Sequence, residues 1–347
     1  MVNHGPRRVP TIRDVARVAQ VSVTTVSHAL SAKRPVSPET AERIQAAIEH
    51  LGYVPSSAAR TLQAGRTGML GLVVPDVSDP FFGRLAMSVE RAADAEDYGV
   101  VLSSSRVAPG RGARLFDLLR SRSIDGLVYV AGEVRPEEEL RRLASAYPIV
   151  LADESSAALT GIPFVGADHA GGGRLVGRYL RDLGHADVAV VTGPRGLRSA
   201  EERVAGFRDV LPGAAVIDGD FTEEVAADRT ARMLARGRVP TAVFASSDVM
   251  ALGVMDAVRE AGLSVPGDVS VVGFDDIPLA RRVVPGLTTV RQPIDELGRL
   301  ATATLVRLMA GEDPAPVTPL PVELVVRGTT GAPRPASAPV GAGAAAR

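Results

Sequence analysis

Thr11-Ile-Arg-Asp-Val-Ala-Arg-Val-Ala-Gln20, Val21-Ser-Val-Thr-Thr-Val-Ser-His-Ala-Leu30 and Val36-Ser-Pro-Glu-Thr-Ala-Glu-Arg-Ile-Gln-Ala-Ala-Ile-Glu-His-Leu-Gly52 decide how this chain is read. Thr11 is a good N-cap, and Ile12, Val15, Ala16 and Ala19 repeat at the spacing of one face of a short helix. Gln20-Val21 breaks that pattern, and Ser22 caps a second helix, Val23–Leu30. At about 100° per residue, Val26 and Leu30 share a side with Val23 at its edge, and Thr24, Thr25 and His28 point the other way. Ser37 caps a third helix that starts at Pro38, buries Ala41, Ile44, Ile48 and Leu51, and stops at Gly52. Two short helices about a tight turn, steadied by a third, are the helix-turn-helix plan. A three-helix protein-interaction module has the same periodicity. The outward hydroxyls and imidazole of the second helix suit a major groove, with Arg and Lys around them for phosphates.

Charge separates this head from the rest of the chain. Residues 1–66 hold nine Lys/Arg against four Asp/Glu, and residues 67–347 hold 30 against 36. A basic head on an acidic body is the asymmetry expected when only the head meets a polyanion. The 347 residues, 46% apolar and 23% charged, have globular composition and room for two or three domains. No apolar run reaches the roughly 18 residues of a membrane span. Met1–Pro10 lacks the apolar core of a secretion signal, so the cytoplasm is expected. The chain contains no cysteine, which excludes disulfides, thiolate zinc sites and cysteine nucleophiles.

From Met69 onward, short apolar runs alternate with amphipathic stretches. Met69–Val74, Val100–Ser103, Leu127–Ala131 and Ile149–Ala152 read as buried parallel strands, with helices at Phe81–Tyr98, Ala113–Arg120 and Pro136–Ala146. A second series has strands at Val188–Thr192, Ala215–Ile217, Ala242–Ala245 and Ser270–Phe274. Its helices are Ala170–Leu183, Ala200–Leu211, Glu223–Arg236 and Asp248–Ala261. Strictly alternating units mean doubly wound α/β architecture, and two series mean two lobes with a cleft beyond the carboxyl ends of the strands. The Ala/Pro/Gly-rich tail from Ala332 reads as disordered.

The fold class also hosts enzymes, but the chain has no G-x-G-x-x-G after its first strand, no P-loop, no G-x-S-x-G and no H-E-x-x-H. His185, in Leu-Gly-His-Ala before a strand, reads as structural. The adjacent Asp275 and Asp276 leave a strand in different directions, which argues against a general acid/base pair. Small-molecule binding fits better. In Asp76-Val-Ser-Asp-Pro-Phe-Phe82, Phe81 and Phe82 offer flat faces for the C–H face of a sugar or base, and Asp79 can fix a hydroxyl. At least one of the two rings is expected to pack inward. Arg203 offers a fork of donors, Asp275 ends a strand, and Gln292 lies on a crossing segment.

The head motifs, followed by Leu51-Gly-Tyr-Val-Pro55, resemble those of lactose-repressor (LacI/GalR) family regulators, and the likeness extends to about Gly331. The resemblance implies an all-α head (1–54), a hinge helix (55–67) and a periplasmic-binding-protein-like body (68–331). Lobe 1 would span 68–166 and 293–318, and lobe 2 would span 167–290 and 319–331. It also implies a homodimer on a pseudo-palindromic double-stranded operator, with no cofactor and no membrane partner. Val23, Thr24 and His28 become base-reading positions within a DNA-facing set of Thr11, Ser22, Val23, Thr24, Thr25, Ser27, His28 and Ser31. Arg60 and Leu62 come from the hinge, with Leu62 as the wedge in a minor-groove step. The implied effector contacts are Asp79, Phe81, Phe82, Asp153, Arg203, Ser247, Asp275 and Gln292, for a sugar or sugar derivative.

Several positions depart from the family pattern. Gln20 and Ser56 stand where glycine and asparagine are usual. His28 replaces an arginine, which removes a bidentate guanine contact. Ser247 replaces an asparagine. Glu154 replaces an arginine, which disfavours anionic ligands over neutral or cationic ones. The alternatives are a constitutive repressor with a degenerate cleft, a solute-binding protein, and an α/β enzyme with a helical accessory domain.

Overall fold

The structure, a computed structural model, describes residues 10–31, 34–53, 66–105, 112–130, 137–155 and 159–335. The chain divides into two compact units between Gly68 and Met69. In the first, α1 (Ile12–Val18), α2 (Val23–Ser31) and α3 (Pro38–Leu51) follow the capping signals of the sequence. Thr11 donates from its backbone N and from Oγ1 to Asp14 Oδ2, at 2.9 and 2.7 Å. Ser22 Oγ accepts from Thr25 N at 3.0 Å, Ser37 Oγ accepts from Thr40 N at 3.4 Å, and Gly52 closes α3 in the left-handed region. The core is Val15, Ala16, Ala19, Val26, Ile44, Ala47 and Tyr53. It differs from the expected stripe on α3, where Ile44 and Ala47 form the seam and Ile48 and Leu51 are its half-buried edge.

Gln20, in the turn between α1 and α2, has φ of 53°. A Cβ in that region costs roughly 1–2 kcal/mol, which glycine avoids while loosening the unfolded chain. Gln20→Gly is therefore expected to stabilise the head by about 0.5–1 kcal/mol. Urea unfolding followed by helical circular dichroism on an isolated 1–68 fragment, or on the full chain if that fragment does not fold, checks it.

The second unit holds two sheets. The first has the order β2-β1-β3-β4-β5 and is wholly parallel, from β1 (Met69–Val74), β2 (Gly99–Ser104), β3 (Gly126–Tyr129), β4 (Ile149–Ala152) and β5 (Phe164–Val165). Helices α4 (Pro80–Asp94), α5 (Gly112–Arg120) and α6 (Glu137–Ala144) connect its strands. The second sheet has the order β11-β10-β9-β8-β6-β7. Its strands are β6 (Val188–Thr192), β7 (Ala215–Asp218), β8 (Ala242–Ala245), β9 (Ser270–Asp275), β10 (Thr288–Arg291) and the antiparallel edge β11 (Glu323–Val325). Its helices are α7 (His169–Asp182), α8 (Arg198–Arg208), α9 (Glu223–Ala235) and α10 (Asp248–Glu260), while α11 (Ile294–Met309) returns to the first sheet and packs on α4. Strands β3, β4 and β8 are buried at every position, as parallel strands covered on both faces require.

Three stretches join the sheets: 166–168, 292–293 and 310–322. Two of them are hydrogen-bonded side by side, Leu320 N to Gly166 O at 2.9 Å and Asp168 N to Leu320 O at 2.8 Å. The ordered body runs past the expected start of the tail. Arg334 donates to Asp268 O and Val239 O, each at 2.7 Å, so residues 332–335 dock on lobe 2. Residues 336–347 lie outside the described set.

Candidate functional site

A cavity of about 540 Å³ opens between the lobes at the carboxyl ends of the strands. Asp79 reaches it from the turn after β1, Phe81 and Phe82 from the first turn of α4, and Asp153 and Glu154 from the end of β4. Arg203 reaches it from α8, Ser247 from the turn after β8, and Asp275 from the end of β9. Seven of the eight expected effector positions line this cavity. Gln292 does not; it is buried behind Asp275 and donates to its Oδ1 at 2.7 Å.

Local chemistry fixes each group. Asp79 caps α4, accepting from Phe81 N at 2.8 Å. The Phe81 ring belongs to the lobe 1 core, and the half-buried Phe82 meets it edge-on at 5.1 Å. Ser247 caps α10 through Met250 N at 3.2 Å. Arg203 is placed by two glycines. A Cβ on Gly173 would lie 2.2 Å from Arg203 O, and one on Gly206 would lie 2.0 Å from Ala170 O, so α7 and α8 cross with their backbones in contact. From that crossing, Arg203 donates to His169 Nδ1 at 3.3 Å and to Ser246 O at 2.5 Å. Its guanidinium lies 4.0 Å from the Phe274 ring centroid and 3.8 Å from Asp275.

His169 is the residue that sequence reasoning did not place. Its Nε2 faces Asp153 O at 3.3 Å, so Nε2 carries the proton and Nδ1 accepts from Arg203. Burial, then the neighbouring Arg203, hold the imidazole neutral, with its pKa well below the usual value. Glu154 supplies a contact between lobes. Its carboxylate accepts Ser199 Oγ at 2.5 Å and Ser199 N at 3.3 Å in the first turn of α8, and also Ser155 N at 2.8 Å. Leu197, the N-cap position of α8, offers no side-chain cap of its own.

Burial pushes the Asp153 carboxyl up to about 7 against the pull of Arg203, and Glu154 and Asp79 add to the rise. Burial also raises Asp275 well above the ordinary carboxylate value, opposed by Arg203 and reinforced by Asp248. The neighbouring Asp276 behaves in the opposite way. Burial raises it, but Arg327 and Arg291, at 2.5 and 2.6 Å, outweigh burial and hold it low. The two adjacent carboxylates thus serve different lobes of the electrostatics and do not form a pair. His185 is clamped between Thr241 Oγ1 and Gly331 O, each at 2.9 Å.

A carboxyl with a raised folded-state pKa contributes stability that is complete below its unfolded value of about 4 and lost as pH rises through about 7. His169 acts in the opposite sense, losing its contribution as pH falls below the unfolded value of about 6.5. Asp153→Asn isolates the carboxyl. Relative to the parent, this variant is expected to gain up to about 1.4 kcal/mol per pH unit between pH 4 and 7, read by urea unfolding across that range. A parallel pH dependence in the two proteins contradicts the assignment.

In the head, Val23 is 41% exposed and Thr24 is exposed, while Thr25, Ser27 and His28 are half-buried. The Thr25 hydroxyl is tied to Ser22 Oγ at 2.8 Å. Thr11 and Ser22 cap their helices from exposed positions. Ser31 ends α2. Arg60 and Leu62 lie outside the described residues. Among the described residues, no helix is long and apolar enough to cross a membrane.

Residues 11–56 match the bacterial regulatory proteins of the lacI family, and residues 178–330 match a periplasmic binding protein-like domain. The chain is 37% identical to the ribose operon repressor of Halalkalibacterium halodurans over 92% of its own length and 97% of that protein's. It superposes on the lac repressor dimer bound to operator and the anti-inducer ONPF with a TM-score of 0.82 and 30% identity, covering 94% of this chain and 100% of that one. A regulator from Enterococcus faecium with bound ribose gives a TM-score of 0.67 at 28% identity, covering 77% and 100%.

Proposed function

The chain belongs to the lacI family of bacterial regulatory proteins, and from that premise we propose a repressor whose operator affinity is set by a small effector in the inter-lobe cleft. It acts as a homodimer on an inverted-repeat operator, and α2 of each head enters a major groove. Val23, Thr24 and His28 meet base edges, while Thr11, Ser22, Ser27 and Ser31 approach the backbone. Arg60 and Leu62 act at the operator centre. The effector is held by Asp79, Phe82, Asp153, Arg203, Ser247 and Asp275, with Phe81 and Gln292 bracing the floor. The observation that carries this reading is the cavity itself, in which side chains from both lobes converge on one space. A non-catalytic role accords with the uses of its titratable groups. His169 is buried neutral between Arg203 and a backbone carbonyl, and Asp275 is held by Gln292 and Arg203.

Selection of binding sites from a random duplex pool tests the head. An inverted repeat is expected, and enrichment of no repeat overturns the reading. Leu62→Ala is expected to weaken operator binding at least tenfold in an anisotropy titration while the body melts unchanged, because the wedge stabilises a kinked step. A cleft ligand should change operator affinity by about 5–150-fold, the usual range of such coupling.

A further inference from the structure

The cavity is strongly acidic. Eight carboxylic side chains line it against two arginines. Arg203, the one buried cation among the described residues, is engaged with His169, Ser246 O and the Phe274 ring. Both Glu154 oxygens are taken by Ser199 and Ser155. Asp153 is different. It lines the cavity and is 6% exposed; its buried Oδ1 lies 3.9 Å from His169 Nε2, too far for a hydrogen bond, and accepts none from the described residues. A buried carboxylate oxygen without a donor is costly, and a ligand that brings a charged donor removes that cost.

Resting on the effector reading above, we propose that the ligand of this cleft is a polyhydroxylated molecule bearing an ammonium group, an amino sugar or aminopolyol in its protonated form, with its ammonium on Asp153. The hydroxyls fit the remaining carboxylates and Arg203, and the half-buried Phe82 faces the carbon frame. An ammonium group has three donors and no acceptor, which matches a pocket so rich in acceptors. Burial raises the Asp153 carboxyl against the pull of Arg203, and the nearby Glu154 and Asp79 add to the rise, so a cation placed there would relieve both the desolvation and the repulsion. Among the described residues no three His, Asp or Glu groups converge as metal ligands, so an organic cation is favoured over a bare metal ion. Phosphorylated sugars meet the wrong sign of charge.

The test is calorimetric titration of the full-length protein at pH 7.5. The probes are 2-amino-2-deoxyhexoses and 1-amino-1-deoxyalditols, each beside its hydroxyl parent and its N-acetyl derivative. At least one amine is expected to bind tenfold or more tightly than both of its neutral counterparts. Asp153→Asn is expected to reduce that preference to within about threefold. A neutral parent that binds as tightly as its amine overturns the ammonium assignment and leaves the effector reading in place, and so does a set in which no amine binds. An amine that binds selectively and loses its preference in Asp153→Asn, yet leaves operator affinity unchanged, supports the ligand class and overturns the effector role. The ratio measured on the parent protein stands even if the variant does not fold.

Discussion

Gly206→Ala is expected to lower the stability of the body by about 3 kcal/mol, at the upper end of what an inserted methyl group costs in a packed core. The added Cβ would lie 2.0 Å from Ala170 O and 3.0 Å from Ala170 Cα. Both are backbone atoms in α7, which can yield only if α7 and α8 move apart. For a body of this size that corresponds to a drop in melting temperature of roughly 6–12 °C. The damage extends to the cleft, because α7 carries His169 and α8 carries Arg203, and their 3.3 Å hydrogen bond spans the same crossing. Gly213→Ala is the control: nothing lies within 4 Å of its Cβ position, so its effect should stay within about 0.5 kcal/mol. Equal melting temperatures for the two variants contradict the close crossing.

Arg203→Met leaves Asp153 and Asp275 buried without their cation, and removing one partner of such an arrangement costs about 3–5 kcal/mol. The loss depends on pH with a definite sign. Arg203 lowers both carboxyls, so its removal raises them further above their unfolded values. Each then takes a proton on folding over a wider range, and the stability they contribute is lost as pH rises. The deficit of the variant should therefore be largest at pH 8 and shrink steadily towards pH 5, as followed by thermal melts. Adding Asp275→Asn to Arg203→Met should recover part of it. A deficit that does not change with pH assigns the loss to packing, since the guanidinium covers the Phe274 ring at 4.0 Å.

What the sequence made legible was what short-range physics controls. Thr11, Ser22 and Ser37 cap helices at the positions their types demand, and Gln20 marks a turn with φ of 53°. The parallel strands buried on both faces announced themselves as apolar runs. β10 did not, because Thr288 and Thr289 are buried through hydrogen bonds to Thr329, Thr330 and Asp248 and not by apolar character. α11 lies in a stretch assigned to lobe 1 but was not recognised as an element. Within the cleft, residue type pointed to Arg203 on a helix and to Asp275 at a strand end, whereas the position of Gln292 behind Asp275 depends on where a crossing segment passes. His169 carries no local signal, since its role is fixed by Arg203, 34 residues away. Glu154 was visible as a departure from pattern, but its partner Ser199 is 45 residues distant and belongs to the other lobe.

That last contact makes the order of one lobe conditional on the position of the other. A helix start without a cap frays, and α8 receives its cap from β4's loop across the cleft. Widening the cleft would break these bonds and leave the Ser199 amide without its acceptor. The Ser199 amide would then serve as a ruler for the cleft, its proton exchange with solvent tracking the separation of the two halves.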